Sequence, residues 1–246
     1  MQNIAKNIIL ELKRNSDPRA RAGMARYGIR IESALGVSIP VLRKIAKTLG
    51  DNHKLALTLW KLNIHEARIL AGMIDDPCCV TERQMDLWVK NFNSWDLCDQ
   101  TCNNLFCYTK FAYKKALIWS KSTKEYIRRA GFVLMAVLAV HDKNLENDDF
   151  MVFLSLIKKH ASDERNFVKK AVNWALRQIG KRNSSLNNVA IQTANEILML
   201  NSKSAKWIAS DAIRELTSSA VHKRLQAKIA ASSASKKVFG VIGCSA

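Results

Sequence analysis

A chain of 246 residues that is 48% hydrophobic is long enough for a sizeable core and falls between the sizes expected of one domain and of two. Its 39 Lys and Arg against 21 Asp and Glu give a formal charge of +18, an excess that sets it apart from a neutral housekeeping enzyme and predicts attraction to a polyanion. The longest uncharged apolar run, Gly131 to Val140, is far too short to cross a bilayer, so no membrane partner is expected.

Only 9 Gly and 3 Pro, with few sustained alternations of apolar and polar residues, predict an all-helical protein. The first helix, Asn3 to Arg14, sets Asn, Lys and Glu among its apolar positions at helical spacing. It therefore reads as amphipathic and not as a signal peptide, and a soluble intracellular protein is expected. A short helix from Arg19 to Arg26 follows Asp17-Pro18, and then comes Tyr27-Gly28-Ile29-Arg30. Ser38 can cap and Pro40 can open the helix Val41 to Leu49. Two more, His53 to Lys61 and Ile64 to Met73, lead to a break at Asp75-Asp76-Pro77. Thr81 and Gln84, in capping-box spacing, start the next helix.

From there the pattern pairs Glu82 to Lys90 with Ser94 to Tyr108, Lys110 to Ser120 with Lys124 to His141, Asp148 to His160 with Glu164 to Lys181, and Leu186 to Leu200 with Ala205 to Thr217. Each pair takes roughly 30 to 45 residues, the span of HEAT-type helical hairpins, so the expected fold is all-α: a curved α-solenoid of HEAT-like repeats. Residues 1–231 are read as a single domain and 232–246, small and polar, as a loose tail.

One stretch carries chemistry-bearing residues without an obvious role in packing: Ser94-Trp95-Asp96-Leu97-Cys98-Asp99. On a helix capped by Asn93 or Ser94, Trp95 and Asp99 stand one turn apart, while Leu97, Thr101 and Leu105 lie on other faces and pack. Arg128, Arg129, Trp174 and Arg177 fall on later second helices, about one repeat apart, so that residues distant in sequence can share a surface. Trp60, Trp88, Trp119 and Trp207 sit in ordinary amphipathic patterns and are assigned to packing. The six cysteines and five histidines show no metal-ligand spacing, and there is no Walker or dinucleotide fingerprint, so neither metal nor cofactor is expected.

These residues, with Tyr126-Ile127-Arg128-Arg129-Ala130, Phe167-Val168-Lys169-Lys170-Ala171-Val172-Asn173-Trp174-Ala175-Leu176-Arg177 and, more loosely, Trp207-Ile208-Ala209-Ser210-Asp211-Ala212-Ile213-Arg214-Glu215-Leu216, resemble the AlkD-like family of HEAT-like-repeat DNA glycosylases. The resemblance runs from about Met24 to Arg224. It implies hydrolysis of the N-glycosidic bond of positively charged N3- or N7-alkylated purines in duplex DNA, without strand cleavage. By matching position it makes Asp99 the catalytic carboxylate, Trp95 and Trp174 the aromatic walls, and Arg129 and Arg177 the arginines that hold the DNA backbone, with Arg128 and Lys170 beside them. It further implies a monomer that needs no cofactor and acts in the cytoplasm on nucleoid DNA. The rival expectation is a relative that grips branched or distorted DNA without cutting it; a HEAT-type protein scaffold is a third.

Overall fold

The computed structural model describes residues 2–240, of which 231–240 in their backbone only. The chain forms α1 (Gln2–Arg14), α2 (Pro18–Met24), α3 (Ile39–Leu49), α4 (His53–Lys61), α5 (His65–Ile74), α6 (Glu82–Val89) and α7 (Trp95–Asn104). It continues with α8 (Ala112–Trp119), α9 (Glu125–His141), α10 (Asn147–His160), α11 (Asn166–Gly180), α12 (Ser184–Leu198), α13 (Lys203–Leu216) and α14 (Ser219–Gly240). Short 3₁₀ turns occupy Ala25–Tyr27 and Phe106–Tyr108, and no strand occurs among the described residues. None of these helices is long and apolar enough to cross a membrane.

Local chemistry sets the ends. The Asp17 carboxylate accepts from the Arg19 and Ala20 N–H groups, Asn52 from Leu55, Thr81 from Gln84, Asn183 from Leu186 and Ser202 from Ala205. Each satisfies a donor that a helix start leaves open. Two stretches differ from the sequence reading. The helix expected from Ser94 to Tyr108 stops at Asn104, because Leu105 leaves helical geometry (φ −129°, ψ −63°) to bury its side chain completely. The chain expected to end its helices at Thr217 instead continues as α14, seated by Val221 and Leu225, a two-residue stripe too sparse to register among small and polar neighbours. Of the expected tail, 232–240 belongs to this helix and 241–246 lies outside the described residues.

The backbone divides into two compact units, 1–142 and 143–246. In the first, the second helices α3, α5, α7 and α9 pack side by side in order, while α4 covers α5 and α8 covers α9. Beneath them Trp60 stacks on Trp88 with centroids 3.8 Å apart, and Phe92, Phe106 and Trp119 extend the cluster. These rings are buried, as expected of Trp60, Trp88 and Trp119. The close approach of α9 to α8 needs Gly131: a Cβ there would stand 2.3 Å from the Ser120 backbone nitrogen. In the second unit α11 packs on α12 and α13, α10 on α12, and the buried Asn173 amide donates to the Ile208 carbonyl to tie α11 to α13.

Candidate active site and nucleic-acid interface

The first part of the site is the start of α7. Leu97, Thr101 and Leu105 are fully buried, as their spacing predicts, and so are Cys98 and Cys102, whose thiols approach the Tyr126 and Ala130 carbonyls of α9. This packing fixes the rotation of α7 and sets Asp99 against α9. There the Arg129 Nε donates to one Asp99 oxygen at 2.9 Å and its terminal nitrogen to the other at 2.8 Å. The side chains are 6% and 17% exposed, so the fork is largely shielded from solvent. Arg129, expected on the DNA backbone, is thus the partner of the expected catalytic carboxylate, 30 residues away and one repeat on.

Burial pushes the Asp99 carboxyl above its ordinary value, opposed by the charge and hydrogen bonds of Arg129, while the neighbouring Asp96 pushes the same way as burial. Both oxygens accept an N–H, the bidentate geometry of an ionised carboxylate with a guanidinium. Each oxygen keeps a second lone pair, so the group remains able to accept further bonds. Arg128, half-buried, donates from Nε to the Ser122 carbonyl at 2.6 Å.

Behind Asp99 stands a pair that sequence reasoning missed. His65, 3% exposed, lies with its Nε2 2.8 Å from Asp96 Oδ2. Burial pushes the imidazole down, but Asp96 and Glu66 push it up by more, so it holds its proton above its ordinary pH range. Asp96 answers in kind: burial raises it, and His65, the Ser94 hydroxyl and the Leu97 N–H bring it below the usual carboxylate range. The adjacent Glu66, 1% exposed, accepts from the Leu35, Gly36 and Val37 N–H groups at 2.7 to 3.3 Å. Gly36, at φ +81°, gives that turn its left-handed step.

The loop pinned in this way reaches back to the site. The Trp95 indole N–H donates to the Tyr27 carbonyl at 3.0 Å, and Tyr27 itself is 70% exposed. No spacing rule could join Tyr27 to Trp95, 68 residues on, or His65 to Asp96. The packing of α5 against α7 brings His65 to Asp96, and the turn at Ala25–Tyr27 brings its own carbonyl to Trp95.

The remaining expected residues lie on α11 in the second unit. Lys170 is exposed and Trp174 half-buried. Arg177 is engaged by α13: its guanidinium pairs with Glu215 and lies 3.6 Å from Asp211, while Lys181 reaches Glu215 at 2.6 Å. Burial pushes Glu215 up, and its two cations bring it below the usual range. The Arg177 Nε is buried without a hydrogen-bond partner. Trp207, assigned to packing by its pattern, is 42% exposed with the Lys169 ammonium 5.6 Å from its ring, a cation–π contact at the surface.

Comparison with known proteins places these features in a family. A solved structure described as "a new family of proteins related to the HEAT-like repeat DNA glycosylases with affinity for branched DNA structures" shares the fold, with a TM-score of 0.73. It is 22% identical, and the match covers 85% of this chain and 94% of that one. None of the curated proteins matches the chain. The family model for DNA alkylation repair enzymes matches residues 8–217, a span that includes Asp99, Arg129, Trp174 and Arg177, and the chain belongs to that family.

Proposed function

We propose that the protein is a monofunctional DNA glycosylase that removes positively charged N3- or N7-alkylpurines from duplex DNA, with Asp99 as the catalytic carboxylate. The observation that carries this reading is the Asp99–Arg129 fork: an aspartate at the start of α7 held by both oxygens in one orientation, one turn from Trp95. An alkylpurine cation leaves as a neutral base when the glycosidic bond breaks, its electron pair departing with the base, so no general acid is needed. Positive charge then develops on the deoxyribose. A carboxylate beside the sugar stabilises that charge and orients a water, which adds to the anomeric carbon and releases a proton. Indole faces attract a cationic nucleotide, each interaction being worth roughly 0.5 to 2 kcal/mol, and the resemblance gives that role to Trp95 and Trp174.

In this reading Arg128, Arg177 and Lys170 meet the DNA backbone, while Arg129, 5% exposed, stays on Asp99. Arg177 exchanges its carboxylate partners on α13 for a phosphate. The protein acts as a monomer and needs no lysine nucleophile, so the strand stays intact. The test is incubation of the protein with methylated duplex DNA and chromatography of the released bases. Release of 3-methyladenine and 7-methylguanine, with a neutral lesion retained and the strand uncut, supports the reading.

A second reading has its own support. The structural relative has affinity for branched DNA, and the Arg129 fork offsets part of the negative charge that the chemistry requires. It predicts tight binding to a four-way junction and no free base in the same assay.

A further inference from the structure

The strongest unassigned feature is the basic face that α14 brings to the end of α11. No Asp or Glu follows Glu215 in the sequence, so the cations of α14 have no acidic neighbour on their own helix. Some exposed cations elsewhere have a carboxylate partner, as Lys114 has Glu82, Lys158 has Glu196 and Arg214 has Asp211. Lys223 and Arg224 are exposed and pair with no carboxylate among the described residues.

This face is built, not merely solvated. Val221 and Leu225 seat α14, and Lys228, one turn further on the same stripe, donates from Nζ to the Lys181 and Arg182 carbonyls at 2.9 and 3.0 Å. Those carbonyls follow the C-terminal end of α11, where a cation is favoured. Arg182 is fixed in turn, donating to the Leu145 carbonyl at 2.8 Å with its guanidinium 4.7 Å from the Phe150 centroid. Burial depresses the Lys228 ammonium first, and Arg224, Lys143 and Arg182 then add repulsion. Four cations therefore converge on one end of α11 at a cost in mutual repulsion, a cost that a bound polyanion relieves.

We propose that Arg224, Lys223 and Lys228, with Lys143 and Arg182, form a second contact for the phosphate backbone of duplex DNA, outside the residues that match the family. The inference rests on the reading that the chain binds DNA, and it extends that reading to a helix the family match does not include. An extended polyanion fits better than a small anion, because Arg224 and Lys228 stand one turn apart along α14.

The experiment measures binding of a labelled, undamaged duplex over a range of salt concentrations. The wild type is compared with Lys223→Gln/Arg224→Gln, with the charge-preserving Lys223→Arg/Arg224→Lys, and with Lys13→Gln/Arg14→Gln at the exposed end of α1. Each phosphate contact contributes about 0.9 to the slope of log affinity against log salt, so the α14 pair of Gln substitutions is expected to flatten the slope by about 1.8. The charge-preserving variant should keep the wild-type slope, and circular dichroism reports that each variant folds. An unchanged slope in the α14 Gln variant, or an equal flattening in the α1 control, overturns the inference. A steep wild-type slope in either case leaves the DNA-binding reading intact; a wild type insensitive to salt removes both.

Discussion

Replacing Arg129 with Gln removes one partner of a shielded ion pair and leaves Asp99, 17% exposed, with no opposite charge against it. Breaking such a pair from one side costs roughly 3 to 5 kcal/mol, and the residual exposure of Asp99 favours the lower end. For a chain of this size each kcal/mol moves Tm by about 2 to 4 °C, so a fall of about 6 to 12 °C at neutral pH is expected. The pH dependence gives the sign. With Arg129 gone, burial and Asp96 push the Asp99 carboxyl further above its unfolded value without opposition. A raised carboxyl stabilises the fold fully below the unfolded pKa, and that contribution is lost as pH rises through the folded one. The deficit relative to wild type should therefore be small in acid and grow toward neutrality. Excision by the variant should share that raised pKa and survive only above it, because the reaction needs the anion. Thermal melts and single-turnover excision across the same pH series test both statements. A variant as stable as wild type at neutral pH, or one whose deficit is larger in acid, refutes the reasoning.

Two further substitutions probe the scaffold. His65 should titrate above its ordinary value near 6.5 in the wild type and below it in Asp96→Asn, where burial acts without its main opponent; NMR of the imidazole reads the change of sign. Because the wild-type imidazole is raised, the stability it confers is complete below the unfolded value and fades as pH rises through the folded one. Melting of the wild type should accordingly decline faster than that of Asp96→Asn above neutrality. Gly131→Ala places a methyl 2.3 Å from the Ser120 backbone nitrogen and should cost about 2 to 3 kcal/mol by calorimetry, whereas an unchanged Tm means that α8 and α9 can part without strain.

Much of this was legible in the sequence, for physical reasons that particular residues make plain. Helical periodicity located the helices because each buries one stripe, and the one-repeat spacing between Asp99 and Arg129 told that they share a surface. Spacing alone could not tell that they bind each other, because what Asp99 faces depends on the rotation of α7 set by Cys98 and Cys102. Trp207 shows the converse limit, since an amphipathic pattern cannot distinguish a ring at the edge of the buried stripe from one inside it. The supports of the site, His65 for Asp96, Glu66 for the 35–37 turn and Tyr27 for Trp95, are contacts between distant segments that no local pattern encodes. The acidic partners of Arg177 escaped notice for the same reason, lying 34 and 38 residues on.

The role assigned to Asp99 is tested most directly by single-turnover release of 7-methylguanine from alkylated duplex DNA by the wild type and by Asp99→Asn, with DNA affinity measured alongside. Loss of one electrostatic stabiliser of this kind typically slows chemistry by about 10²- to 10³-fold. The account predicts a fall of that size in the release rate while affinity for DNA stays nearly unchanged. Release by Asp99→Asn at the wild-type rate, or no release by either protein, contradicts it.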